Sequence, residues 1–230
     1  MSLYLSLLVL SAVFPFLLSF DKKVRFYRKW KALFPSIIIS GSIYLTADIF
    51  FVKQGIWGFN ASYHSGILIL GLPLEEWLFF IVIPYACVFI HYVVVYYFPQ
   101  LVAGNLFFRI FTVILILFLI TVVVLNYDKA YTSFNFGLLI VILIVALFDK
   151  SMLLNRYSFS FLFILIPFFV VDGILTGTFI PGEVVWYSNQ EILGIRILTV
   201  PVEDIGYAFS LVLMNLLIIN KFQKLSYFRE

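Results

Sequence analysis

Charge is what this sequence has least of. Asp, Glu, Lys and Arg make up 12% of its 230 residues, against roughly 25% in a soluble domain, so a soluble globular fold is excluded. Cysteine is nearly absent: Cys87 stands alone within an apolar run, which rules out an internal disulfide framework. Without a G-x-G-x-x-G or Walker loop, nothing suggests a bound dinucleotide or nucleotide. Without a D-x-x-x-D or D-D-x-x-D cluster, nothing is set to hold a magnesium diphosphate. His64 and His91 are far apart, so no metal site is expected on them. No lysine falls in the middle of the last apolar run, which argues against a retinal Schiff base. The net charge of +3 reflects loop placement and points to no nucleic-acid partner.

Apolar runs of membrane-spanning length are what fill the chain. Hydrophobic residues account for 63% of it and the mean hydropathy is +1.10. The runs predict an all-α polytopic membrane protein, because lipid leaves only helices and closed barrels with satisfied backbones and barrel alternation is missing. Seven transmembrane helices are expected: Leu3–Phe20, Ala32–Val52, Pro73–Phe98, Leu106–Leu125, Tyr131–Phe148, Ser158–Ile180 and Ile195–Asn220. The first is a span and not a signal peptide, since its basic cluster follows the apolar run. Twelve basic residues (Lys22, Lys23, Arg25, Arg28, Lys29, Lys31, Arg109, Lys150, Arg156, Lys221, Lys224 and Arg229) fall on one side and three (Lys53, Lys129 and Arg196) on the other. That asymmetry predicts an outside N-terminus and a cytoplasmic C-terminus in the plasma membrane. The stretch at 26–31 has the make-up of an interfacial anchor for membrane lipid.

One short motif recurs. Pro73-Leu74-Glu75-Glu76 opens one long apolar run, and Pro201-Val202-Glu203-Asp204 opens another 128 residues later. Trp57-Gly58-Phe59-Asn60 is echoed by Trp186-Tyr187-Ser188-Asn189, and Asp48 and Asp172 each lie late in the preceding span. A single membrane domain with internal repeats at about 1–98 and 131–225, joined by a linker helix at 106–125, follows from these echoes. An odd linker span makes the two three-helix repeats parallel. All six acids then lie at one end of the membrane, with Glu75 and Glu203 expected to approach across a shared cavity. Gly173 and Gly177 have the spacing of a close helix-packing face, and Pro84 and Pro167 should kink their spans.

Acids within a membrane segment are costly and call for a functional explanation. Glu75 and Glu76 fall in the first turn of their helix, where the dipole and desolvation act in opposite senses on a carboxyl group. Two adjacent acids hold one charge more easily than two, which places an acid beside a base. Glu203 and Asp204 repeat the arrangement, so all four are candidate catalytic residues. The first pair, flanked by Trp77, Phe79 and Phe80, is the expected proton donor; the second, near Arg196, is expected to orient the cation or accept the proton. Phe79 and Tyr207 follow their acids by four residues and share a helix face with them, where a ring stabilises a cation. Phe79, Phe80, Tyr207, Asp48, Asp172 and Arg196 are the candidate substrate-binding residues. The bland alternative makes the acids helix caps in contact with water, and Arg196 a snorkelling side chain.

Residues 73–80, Ile-Pro-Tyr-Ala-Cys-Val-Phe-Ile at 83–90 and the Pro201–Asp204 echo together resemble the small membrane lycopene cyclases. Asp21-Lys22-Lys23, Trp57–Asn60, Leu175-Thr176-Gly177 and Gly194-Ile195-Arg196-Ile197 fit as well. The resemblance covers nearly the whole chain and is to the fused form of a two-unit enzyme. It implies a lycopene β-cyclase-like isomerase that takes a carotenoid from the bilayer, consumes no cofactor and closes β-ionone rings. An acid protonates a terminal double bond, a neighbouring alkene attacks the cation, and a base removes a proton. The sequence departs from the family pattern at Tyr92 and Asn220, near which acids often stand, at Asp172 for an asparagine and at Ala47 for a tryptophan. Alternatives are a carotenoid hydratase or other isoprenoid-modifying enzyme, and a small parallel-repeat transporter. A homo-oligomer is left open.

Overall fold

The computed structural model describes residues 1–149 and 151–227. Lys150 and Arg229, counted above, lie outside these residues, as does the side chain of Lys224.

Helices dominate: α1 (Leu3–Leu18), α2 (Trp30–Gln54), α3 (Leu74–Tyr97), α4 (Asn105–Leu125), α5 (Ala130–Phe148), α6 (Leu153–Leu175) and α7 (Val202–Tyr227). Six of them are long and apolar enough to cross a membrane. The sixteen residues of α1 extend about 24 Å, short of a hydrocarbon core of about 30 Å. Two helices differ most from the sequence expectation. The sixth helix begins at Leu153 and ends at Leu175, earlier at both ends, and the seventh begins only at Val202. Its expected first turns, Ile195–Val200, fold back instead into a hairpin.

The non-helical segments gather at one end of the bundle. Strand β1 (Trp57–Phe59) follows α2; β2 (Leu68–Ile69) and β3 (Leu72–Pro73) make a hairpin that leads into α3. The same order recurs after α6, as β4 (Val185–Tyr187), then β5 (Arg196–Ile197) and β6 (Val200–Pro201) before α7. Each hairpin ends in proline, whose fixed φ suits a helix start. The two halves are stitched by an antiparallel pairing of β1 with β4, Gly58 opposite Trp186. Gly58 has to be glycine: a Cβ there would sit 2.6 Å from the Trp186 ring. Gly177 does not belong to a helix-packing face. It lies past the end of α6 with φ at 109°, and its missing Cβ would be 2.9 Å from the Gly182 carbonyl.

Packing crosses between the halves. Helix α1 lies on α3 and α5 on α7, while α2 packs on α7 and α6 on α3; α4 is carried on α5. Buried polar side chains hold the crossed pairs. Asn215 accepts from Ser36 (2.9 Å) and donates to Ser40 (2.8 Å), fixing α7 to α2. His91 and Ser160 join at 2.6 Å between α3 and α6. Such bonds are worth about 0.6 kcal/mol each in a membrane interior, and His91 is accounted for by this structural contact.

Candidate active site

An apolar cavity of about 370 Å³ runs into the bundle from the end that carries the strands. Trp57, Val185 and Tyr187 of the β1–β4 ribbon form its roof. Below them four acids line it: Asp48, Glu76, Asp172 and Asp204. Among the described residues, no lysine or arginine lines it. Further in, the walls are Ile83, Cys87 and Ile90 of α3, Ile164 of α6 and Leu211 of α7.

Each P-x-E-[ED] motif divides its two acids between frame and cavity. Glu75 and Glu203 do not line the cavity, so their expected approach across it does not occur; Glu76 and Asp204 take those places. Glu75 accepts from the Ser2 hydroxyl (2.7 Å) at the start of α1, and from the Ser65 amide (2.6 Å) and hydroxyl (3.1 Å). Glu203 accepts from the Thr132 hydroxyl (2.6 Å) on α5 and the Leu193 amide (2.7 Å). In both halves the first acid ties the preceding loop to its helix. Its neighbour, one residue on and so about 100° around the helix, points the other way. Tyr4 donates to Glu76 Oε2 at 2.6 Å and Tyr131 to Asp204 Oδ1 at 2.6 Å.

The remaining two acids are treated unequally. Tyr207 donates to Asp48 Oδ2 at 3.2 Å. Residue 79, which stands 128 positions earlier, is a phenylalanine, and Asp172 Oδ2 is buried with no partner among the described residues. Asp204 Oδ2 and the Trp57 Nε1 are likewise unpartnered. Tyr187 packs 5.2 Å from the Tyr131 ring, beside Asp204. Burial, and then the nearby Asp204 and Asp172 carboxyls, push its phenol well above the ordinary value, so it remains a donor.

The other sequence candidates fall around this site. Phe79 lines the cavity; Phe80 lies behind the wall, 6.3 Å from Tyr44 and packed with Leu211. Arg196 is outside the lining. It donates to the Thr199 carbonyl (2.7 Å) and sits over the Tyr187 ring at 5.8 Å, near enough for its charge to act on Asp204. Sequence reasoning missed Tyr4, Tyr131, Tyr187 and Trp57. The signal was present: Tyr4 precedes Glu76 by 72 residues and Tyr131 precedes Asp204 by 73, a tyrosine heading each of two corresponding helices.

The family model for lycopene cyclase matches residues 1–94 and 128–222. The chain belongs to the lycopene cyclase family. Its two matched stretches contain both acidic heads and omit all of α4. No curated protein and no solved structure matches the chain. Membership, together with six membrane-length helices, makes carotenoid cyclisation within a membrane the general setting of this site.

Proposed function

We propose that the protein closes β-ionone rings on a linear carotenoid, lycopene or a close relative, by a redox-neutral isomerisation within the plasma membrane. The observation that carries this reading is the cavity: four acids and their phenols at the head of an otherwise apolar chamber. Protonating an isolated alkene needs a carboxylic acid in dry surroundings, and the resulting tertiary cation needs negative charge or ring faces nearby.

Glu76 is the donor in this reading. Its O–H bond breaks as a C–H bond forms at the terminal alkene, leaving a tertiary cation. The neighbouring alkene supplies the electron pair of the new ring bond, and the cation moves into the ring. Loss of a ring proton to Asp204 restores neutrality and leaves the β-double bond. Asp204 suits acceptance because Tyr131 donates to its Oδ1 while its Oδ2 has no donor and is open to a proton. Asp48, Asp172, Phe79 and Tyr207 face the cation from other sides. No electron leaves or enters, so the chemistry calls on no cofactor.

Two parallel repeats joined by α4 suit this division of labour, and the recurring strand–hairpin–helix order supports them. The basic asymmetry supports an acidic end facing outward. Cysteines placed at Ser62 and Ser151 should therefore be labelled from opposite sides, outside and inside respectively; labelling from one side would overturn the orientation. Expression in a lycopene-accumulating host, with pigments separated by chromatography, tests the activity. Ring-bearing carotenoid is expected, and unchanged lycopene would refute the reading.

A further inference from the structure

The two β-hairpins that lead into α3 and α7 carry a feature the cyclisation chemistry does not use. Residues 67–70 of the first are all aliphatic and all exposed. In the second, Ile195, Ile197 and Leu198 are exposed, whereas the inner sides of the hairpins, Leu72 and Val200, are fully buried. At each tip a leucine is held in the left-handed region, Leu70 at φ 53° and Leu198 at φ 57°. Leu70 is 63% and Leu198 70% exposed. A bulky residue is an outlier at such a φ, and tight hairpin turns ordinarily place glycine or asparagine there. Asparagine would suit both that backbone and water. Strained, exposed leucines at both tips therefore point to surroundings that favour an apolar side chain.

Hydrogen bonds to the helices set the depth of both hairpins. Trp77, in the first turn of α3, donates from its indole to the Ile69 carbonyl at 3.2 Å. The Thr199 hydroxyl, beside the second tip, donates to the Gly173 carbonyl in the last turn of α6 at 3.2 Å. Both hairpins thus lie level with terminal turns of membrane-length helices, where tryptophan commonly marks the boundary with water. Their backbones are also closed internally. Beyond the strand pairing, the Leu74 N–H donates to the Ile67 carbonyl (2.9 Å) and the Val202 N–H to the Ile195 carbonyl (3.0 Å). Arg196, the one charged residue in either hairpin, is turned to the Thr199 carbonyl at 2.7 Å. Carbonyls open to water need no such partners, whereas those near hydrocarbon do. We infer that both hairpin tips are immersed in the leaflet at the acidic end of the bundle, with residues 67–70 and Ile195, Ile197 and Leu198 against acyl chains just below the headgroups. The partner of this surface is lipid. Glu75 and Glu203 follow the hairpins by two residues, so the tips hold both acidic heads at the acyl boundary and away from bulk water.

Placement in the bilayer is independent of catalysis, so the test needs no turnover. The full chain is studied in phospholipid liposomes. Leu70→Cys, Leu198→Cys and Ser62→Cys, each with Cys87→Ala, carry a nitroxide label. Its collision rates with oxygen, which concentrates in lipid, and with a water-soluble nickel chelate are compared. Ser62, exposed on the polar loop before β2, serves as the reference in water. The oxygen-to-nickel ratio should be at least tenfold higher at positions 70 and 198 than at 62. The unaltered chain gives a second reading. A phospholipid with a photoreactive group near the glycerol end of one acyl chain should leave adducts on residues 66–71 and 194–199 and none on 60–63. A ratio at either tip matching that at 62, or a tip free of adducts, would overturn immersion. So would dipolar broadening between tip labels that disappears on dilution with unlabelled protein, because a second copy would then cover the tips.

Discussion

The two acidic heads follow one plan and differ in their phenols. At both, the first acid grips an amide ten residues upstream, Ser65 or Leu193, and a hydroxyl on the partner helix. At both, the second acid takes a tyrosine hydroxyl at 2.6 Å inside the cavity. The second head adds Tyr187 and Tyr207, where positions 128 residues earlier hold Phe59 and Phe79. The scaffold is alike at the two heads, and tyrosine at 187 and 207 against phenylalanine at 59 and 79 makes their surroundings unequal. Unequal surroundings push two carboxyl groups towards different protonation states, which sharpens any division into acid and base.

The sharpest way to break the comparison is to neutralise the cavity acids. Glu76→Gln and Asp204→Asn should each lower ring formation by about 100-fold or more, the lower range of general acid–base contributions. Protein amount in the membrane should not change. Asp204→Asn should release acyclic or hydrated by-products, because the cation forms there but finds no acceptor.

Glu75→Gln and Glu203→Gln come next. Loss of a multiply bonded loop tie costs about 1–3 kcal/mol, read as a lower midpoint of thermal unfolding in detergent. Ring formation by the folded fraction should fall less than tenfold. Equal inactivation of Glu75→Gln and Glu76→Gln at wild-type stability would erase the division between frame and cavity.

Exchanging the phenols tests the inequality itself. Tyr207→Phe removes the donor to Asp48, and Phe79→Tyr offers one to Asp172. With a hydrogen bond worth about 1 kcal/mol, each change should alter the cyclisation rate by roughly fivefold. Identical behaviour of the two single variants and the double variant would mean the phenols do not differentiate the heads. The smallest effect belongs to Gly58→Ala, which pushes the Trp186 ring aside and so disturbs the β1–β4 ribbon that roofs the cavity. Both heads lie under that roof, so a two- to threefold slower rate with no new by-product is expected.

The sequence made the helices and the acidic motif legible because long apolar runs and carboxyls within them are strong signals. Ile195–Val200 was misplaced into a helix because a short apolar run has no period that separates hairpin from span. Glu75 and Glu203 could not be told from Glu76 and Asp204, because composition does not reveal which of two adjacent acids lines the cavity. Hydrogen-bond partners more than 60 residues away decide it. Tyr4 and Tyr131 were hidden among 14 tyrosines, distinguishable only once their helices were known to pack on α3 and α7. Gly177 matched a packing spacing but serves a turn, since spacing carries no information about where a helix stops.

The β1–β4 ribbon also dictates an order of events during synthesis. Trp57, Gly58 and Phe59 are translated well over a hundred residues before Val185, Trp186 and Tyr187. While the ribosome makes α4, α5 and α6, the early strand has an open edge, and contacts between such distant segments form slowly. For that interval Glu76 and Asp48 stand in a membrane without their roof or the tyrosine that will face Asp48. The nascent first half is therefore the stage most exposed to quality-control proteases and to wrong pairing with another copy's free strand.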